Sequence, residues 1–317
     1  MDWLLLIAGL GVLLVGGEGL VRGATGLARS LGVSPMVIGL TVLAFGTSAP
    51  ELAVNVNAAL KGSSALTFGN VVGSNIANVG LILGITALVQ TLRIHRTIVT
   101  REIPIMLLAT ALTLVLGMAG SAPHYFDSAD GLVLLGGFVL FLFVTVRNAR
   151  REDEFTHQAE EETTEQPPLK LTFAATLTVL GLAGVLLGSH WTVEGATGVA
   201  RALGMSEALI GLTFVAIGTS LPELTTSLFS AMKGHADLAV GNIVGSNVFN
   251  LLFILGVSAT IRPVPVPADG GRLDLLLMAG FSVVFLPLAM TQKRLGRLEG
   301  LLLFAGYLTY MGWRVFA

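Results

Sequence analysis

The 317-residue sequence contains no cysteine. This excludes disulfides, thiolate metal sites and any reading of redox compartment from thiols. Charge is also scarce, since 12% of residues are Asp, Glu, Lys or Arg, against about 25% in a typical soluble domain. There is no HExxH motif, no pair of intramembrane aspartates and no persuasive serine–histidine dyad, so no enzyme and no catalytic residue is expected. The net charge of −2 says little by itself, and neither a nucleic-acid partner nor a cofactor is expected.

What the chain has in abundance is apolar sequence, with 53% hydrophobic residues. They gather into ten stretches of membrane-spanning length: 3–28, 34–60, 66–91, 102–120, 128–147, 171–200, 206–232, 238–261, 273–291 and 297–316. These runs are too long and too uniformly apolar for the period-two alternation of a membrane β-barrel. The expected fold is an all-α membrane protein with the lipid bilayer as its surroundings. The start, MDWLLLIAGL, lacks the basic region that precedes the core of a cleavable signal, so the first stretch is expected to remain as a helix.

If the N-terminus faces outward, thirteen of the eighteen Lys and Arg residues fall on inner loops and helix ends, among them Arg22, Arg29, Arg93, Arg96, Arg147 and Lys233. That is the asymmetry of the positive-inside rule. It puts both termini outside. Residues 148–170, NARREDEFTHQAEEETTEQPPLK, form the one extended polar segment and read as a solvated cytoplasmic linker. They divide the chain into 1–147 and 171–317.

Across that linker the sequence repeats itself without gaps. Residues 38–84 and 210–256 are identical at 25 of 47 positions at a constant offset of 172, and the identities concentrate in Gly, Thr, Ser, Pro, Glu and Asn. Five predicted spans separate a residue from its counterpart. An odd number reverses direction, so the expected architecture is two inverted five-helix repeats with interrupted helices at the midplane, as in secondary transporters.

Each repeat holds one intramembrane carboxylate, Glu51 in GTSAPEL and Glu223 in GTSLPEL. Ser48 with Glu51, three residues on, also has the form of a capping box. A carboxylate in the bilayer is costly, however, and two at equivalent positions imply a compensating cation. Gly46, Pro50, Gly218 and Pro222 weaken their helices, while Thr47, Ser48, Thr219 and Ser220 add hydroxyls. GNVVGSNIAN and GNIVGSNVFN bring Ser74 and Asn78, then Ser246 and Asn250, four apart on one helix face. The set is oxygen-rich with no thiolate or imidazole nearby, which suits a hard cation such as calcium. Helix packing through small and polar residues is the competing account of the serines and asparagines.

The sequence GTSxPE followed by GNxxGSNxxN, twice, resembles the sodium/calcium exchangers of the cation/calcium antiporter superfamily, in particular the short prokaryotic members. The resemblance implies an antiporter of the prokaryotic inner membrane that exchanges calcium for sodium by alternating access. It assigns Glu51 and Glu223 to calcium and sodium, Thr47 and Thr219 to hydroxyl and backbone oxygens, Ser48, Ser74, Ser220 and Ser246 to flanking sodium sites, and Ala44 and Ala216 to carbonyl ligands. An acid at the position of Asn250 accompanies potassium dependence in that family, so its absence implies potassium-independent exchange. The family also suggests that the first and sixth spans slide as a gate. Within the first span, Glu18 and Arg22 are expected to pair at i,i+4; His190 and Glu194 hold corresponding places in the sixth. A calcium/proton antiporter is the nearest alternative, and a cation channel, which needs a continuous pore, the next.

Overall fold

The structure, a computed structural model, describes residues 1–119, 124–160, 169–204, 216–290 and 293–316. Helices occupy all ten apolar stretches. They are α1 (Asp2–Leu31), the bent pair α2 (Pro35–Thr47) and α3 (Ala49–Lys61), α4 (Leu66–Val89), α5 (Ile98–Met118), α6 (Ser128–Glu160), α7 (Leu171–Ala202), the pair α8 (Ala216–Thr219) and α9 (Leu221–Met232), α10 (Ala236–Ile261), α11 (Gly271–Met290) and α12 (Arg297–Phe316). Seven of these are individually long and apolar enough to cross a membrane, and the α2–α3 pair, bent by 45°, makes an eighth. The α8–α9 pair and α12 fall in the remaining two stretches. The first part of the seventh stretch, 206–215, lies outside the described residues, as do 161–168 of the acidic segment.

The inversion is visible in the backbone packing of α1 against α7. These helices are repeat counterparts, yet Gly9 lies against Thr192, Gly16 against Val185 and Gly23 against Thr178. Rising numbers on one helix meet falling numbers on the other, so they run antiparallel. The glycines recur every seven residues, and their counterparts at the offset of 172, Gly181, Gly188 and Gly195, face Leu20, Leu13 and Leu6 in return. A Cβ at any of the six would come within 2.3–2.6 Å of the opposing backbone nitrogen. Small residues therefore let two membrane helices approach along most of their length, where dispersion rather than burial from water holds them.

Two short antiparallel ribbons repeat the inversion at the ends of the bundle. β1 (Leu92–Arg93), which follows α4, pairs with β4 (Arg294–Leu295), which precedes α12. β2 (Tyr125–Phe126), which precedes α6, pairs with β3 (Val264–Pro265), which follows α10. Each half thus lends a strand to the other, and each ribbon buries one cross-strand pair, Leu92 with Leu295 and Phe126 with Val264.

The core sits on α4 and α10. Their spanning windows are 83% and 94% buried, against 33% and 28% for α1 and α7. The GNxxGSNxxN segments therefore lie at the centre of the bundle, with the α1–α7 pair at its edge. Leu4, Ile7, Leu14 and Val15 on α1 are exposed, as expected of side chains that face lipid tails.

Two local expectations change. Glu18 pairs not with Arg22 but with Lys233, Oε1 to Nζ 2.8 Å, because α9 packs on α1 and Lys233 follows its last turn. Helix α6 continues past residue 147 to Glu160, through the first half of the acidic segment, where Arg, Glu and Gln favour helix. His190 and Glu194 lie 3.6 Å apart on adjacent turns of α7.

Candidate ion-binding site

Both interrupted helices break in the same way. Ser48 has φ −86° and ψ 7°, Ser220 has φ −92° and ψ 3°, and each precedes a helix with proline in its first turn, Pro50 or Pro222. Proline lacks the N–H that would have continued the ladder and its ring crowds the preceding turn, so the helix stops and restarts in a new direction, 45° away for α2 and α3. Around the first break, Ala44 remains within the backbone ladder, its carbonyl accepting from the Ser48 N–H at 3.1 Å. Ala216 opens α8.

The capping box does not form. Neither Ser48 nor Ser220 makes a side-chain cap. The Ser48 hydroxyl instead crosses to the other repeat and donates to Glu223 Oε1 at 3.0 Å. The two carboxylates interact electrostatically with one another. Both are 2% exposed, and Oε2 of each is buried without a partner.

The serines and asparagines arrive from α4 and α10. Ser74, Asn78, Ser246 and Asn250 are all buried, as are Thr47, Ser48 and Ser220; Thr219 is half-buried. The Oδ1 atoms of Asn78 and Asn250 and the Oγ of Ser246 have no hydrogen-bond partner, whereas Ser74 Oγ contacts Asn70 Oδ1 at 3.5 Å. At the two asparagines both helices widen into a π-helical turn, Asn78–Leu83 in α4 and Phe249–Ile254 in α10. Such turns recur at functional sites, where the looser ladder re-aims side chains.

A second ring of buried amides supports the first. Asn55 Nδ2 donates to the Glu51 carbonyl at 2.6 Å. Asn242 donates to Ser227 Oγ at 3.1 Å and contacts Thr47 Oγ1 at 3.4 Å. Asn78 Nδ2 donates to Asn247 Oδ1 at 3.0 Å. The sequence reading passed over Asn55, Asn242, Asn247 and Ser227. Its i,i+4 rule selected Ser74 with Asn78 and skipped the residue between them, although all three positions recur in the repeat.

Chemically the site is a buried set of acceptors. Unpartnered carboxylate and amide oxygens are present in both halves, and among the described residues no cluster of three or more His, Cys, Asp or Glu could hold a metal in a conventional site. Leaving so many buried acceptors without donors costs several kcal/mol in total, at about 1–3 kcal/mol each. Two interacting buried carboxylates compound that cost unless a cation or a proton accompanies them.

Known proteins resemble the chain over nearly its whole length. The chain is 40% identical to CaxA of Alkalimonas amylolytica over 308 residues, covering 96% of this chain and 95% of CaxA. It is 36% identical to the inner membrane protein YrbG of Escherichia coli K12 over 313 residues, covering 97% and 94%. Among solved structures, the sodium-calcium exchanger NCX_Mj soaked with 10 mM sodium and zero calcium superposes with a TM-score of 0.83 at 31% identity, and 98% of each chain is covered. The profile of the sodium/calcium exchanger protein family matches residues 1–147 and 173–316. The chain, an integral multi-pass membrane transporter and not an enzyme, belongs to the sodium/calcium exchanger protein family.

Proposed function

We propose that the protein exchanges calcium for sodium by alternating access at the Glu51–Glu223 cage, without a requirement for potassium. The observation that carries this reading is the crossing bond from Ser48 to Glu223, beside two buried carboxylate oxygens that have no donor. One half thereby contributes to the ligand shell of the other, and the paired charge of −2 matches one calcium ion. The neutral oxygens of Ser74, Asn78, Ser246, Asn250, Thr47, Thr219, Ser48 and Ser220, with the carbonyls of Ala44 and Ala216, complete an all-oxygen shell of the kind calcium and sodium accept. A proton would need only the carboxylates. The relatedness to NCX_Mj, studied with sodium and calcium, supports the same pair of ions.

Orientation follows from charge. With both termini outside, most of the basic residues lie on the inner face and the acidic segment 148–170 is cytoplasmic.

The test is calcium uptake into proteoliposomes under an imposed sodium gradient and, separately, an imposed pH gradient. Uptake driven by sodium at constant pH is the expected result. Uptake driven only by the pH gradient would establish a calcium/proton antiporter instead, with the same two glutamates carrying the protons.

A further inference from the structure

An asparagine that ligates a cation must present its carbonyl oxygen and dispose of its NH₂ elsewhere, because the two ends of the amide are equal in size and opposite in electrostatic character. Asn78 meets that requirement through α10. Its Nδ2 donates to Asn247 Oδ1 at 3.0 Å, while its own Oδ1 is buried and unpartnered. Asn247 is held in turn, since its Nδ2 points to Met106 Sδ of α5 at 3.5 Å. Asn78, Asn247 and Met106 are all at most 1% exposed. The three therefore form a buried relay with one direction, a thioether accepting from Asn247, Asn247 accepting from Asn78, and the Asn78 oxygen left open.

All three residues recur at the offset of 172: Asn250 for Asn78, Met278 for Met106 and, in the reverse sense, Asn75 for Asn247. The helices that carry them also correspond, α5 packing on α10 and α11 on α4. The second set is differently engaged. Asn75 Nδ2 turns back to the Val71 carbonyl of its own helix at 2.7 Å, which leaves Asn75 Oδ1 without a donor. Met278 is buried like Met106. The same parts are thus present twice and form a continuous relay once, so packing alone does not dictate the Asn247 arrangement.

We propose that Asn247, backed by Met106, is a positioning residue that fixes the Asn78 amide with its oxygen toward the transported cation and thereby sets cation affinity. This rests on the reading of the cage as the ion site. Asn247 acts through Asn78 and is itself no ligand. Support groups behind metal ligands are worth about 10–100-fold in affinity, and Asn247→Ala, which frees the Asn78 amide to rotate, is expected to weaken cation binding by about tenfold.

The experiment measures calcium binding by titration of the purified protein, with thermal stability without ions as the control for folding and calcium flux in proteoliposomes as a second readout. Expected for Asn247→Ala are about tenfold weaker binding, a matching rise in the half-saturating calcium concentration and a nearly unchanged maximal rate. Met106→Leu, which preserves the core and removes only a weak acceptor, should weaken binding by about twofold. The decisive arm is an Asn78→Asp background, where oxygen stands at both ends of the side chain and orientation no longer matters. There Asn247→Ala should have little further effect. Wild-type affinity in Asn247→Ala would overturn the proposal, as would an equally large loss in the Asn78→Asp background. If Asn247→Ala does not fold, a Met106→Leu affinity equal to wild type overturns it. A wild-type protein that transports calcium while the variants leave affinity untouched overturns the positioning role alone; a wild type that neither binds nor transports calcium overturns the cage reading with it.

Discussion

In the first half, the residues beside the cage reach across to the second. Ser48 donates to Glu223, Asn78 donates to Asn247, and Glu18 pairs with Lys233. The second half has the counterparts and returns none of these contacts in kind. Among the described residues no bond joins Ser220 to Glu51 or Asn250 to Asn75, and the counterparts of Glu18 and Lys233 are His190 and Lys61, two bases that cannot form an ion pair. The shared sequence therefore specifies the cage, and the differences specify which way its supports lean. An exchanger whose halves were identical would have no reason to prefer one access state; here the described state carries bonds that its mirror state cannot all reproduce.

The largest expected effect tests the shared part. Glu51→Gln and Glu223→Gln should each abolish calcium exchange while leaving a folded, monodisperse protein, because each removes one of the two charges that balance the ion and keeps the shape of the side chain. Glutamine also serves in a capping box, so retained exchange in either variant, measured as calcium flux in proteoliposomes, would restore a purely structural role. Equal loss in both supports functional symmetry. Survival of one would show that the halves have diverged even in their carboxylates.

Much of this was legible in the sequence because repetition and membrane chemistry constrain it twice over. The ten stretches, the inversion and the breaks at Ser48 and Ser220 follow from apolar length, an odd span separation and proline. Three features were not legible. The two ribbons pair residues some 140–200 positions apart with only two residues per strand, too short for any alternating pattern. The π-helical turns have no distinguishing composition. The amide supports needed the crossing of α4 and α10 in space, since Asn75 and Asn247 lie off the face that i,i+4 spacing selects. The capping-box alternative failed for a related reason: a local motif was read along the chain, and the Ser48 hydroxyl found its partner 175 residues away.

The glycine ladder gives the next largest effect and the strictest symmetry test. In Gly16→Val the new Cβ would lie 2.6 Å from Val185 N, and in Gly188→Val 2.4 Å from Leu13 N. Backbone cannot yield as a side-chain tip can, so each variant should lose ~1–3 kcal/mol of stability and most of its flux, through separation of α1 from α7. Gly11→Ala, with nothing within 4 Å of the added carbon, should be neutral or slightly stabilising. Thermal unfolding beside flux separates a loss of folding from a loss of motion. A silent Gly16→Val would remove close approach as the purpose of the ladder.

A smaller effect sharpens the asymmetry inside the cage. Ser48→Ala leaves Glu223 Oε1 without that donor and should raise the half-saturating calcium concentration by about tenfold, as for one hydrogen bond to a charged group. Ser220→Ala should do less. At the surface, Glu18→Gln removes the Lys233 contact, and the exposed position of both groups limits the change in exchange rate to about twofold. Lys61→Glu would give His190 an acidic partner in the mirror position; reversing the directional preference of exchange by that substitution would show that the ion pair biases access.

The smallest expected effect concerns Asn250. Asn78 and Asn250 occupy equivalent places, both are buried, and both present an unpartnered Oδ1, so neither half adds a third carboxylate to the cage. Calcium–sodium exchange should therefore proceed at the same rate with or without potassium. Asn250→Asp would add one negative charge beside Glu51 and Glu223, and a third buried carboxylate can be relieved by a proton or by an additional monovalent cation. Because the other oxygens stay in place, a modest stimulation by potassium is expected, measured as the ratio of sodium-dependent calcium flux in potassium-containing and potassium-free media. The wild-type ratio should be one. A strict potassium requirement in the wild-type protein would mean that the cage recruits this ion without a third acid, and the near-equivalence of Asn78 and Asn250 would then conceal a difference in the ions they face.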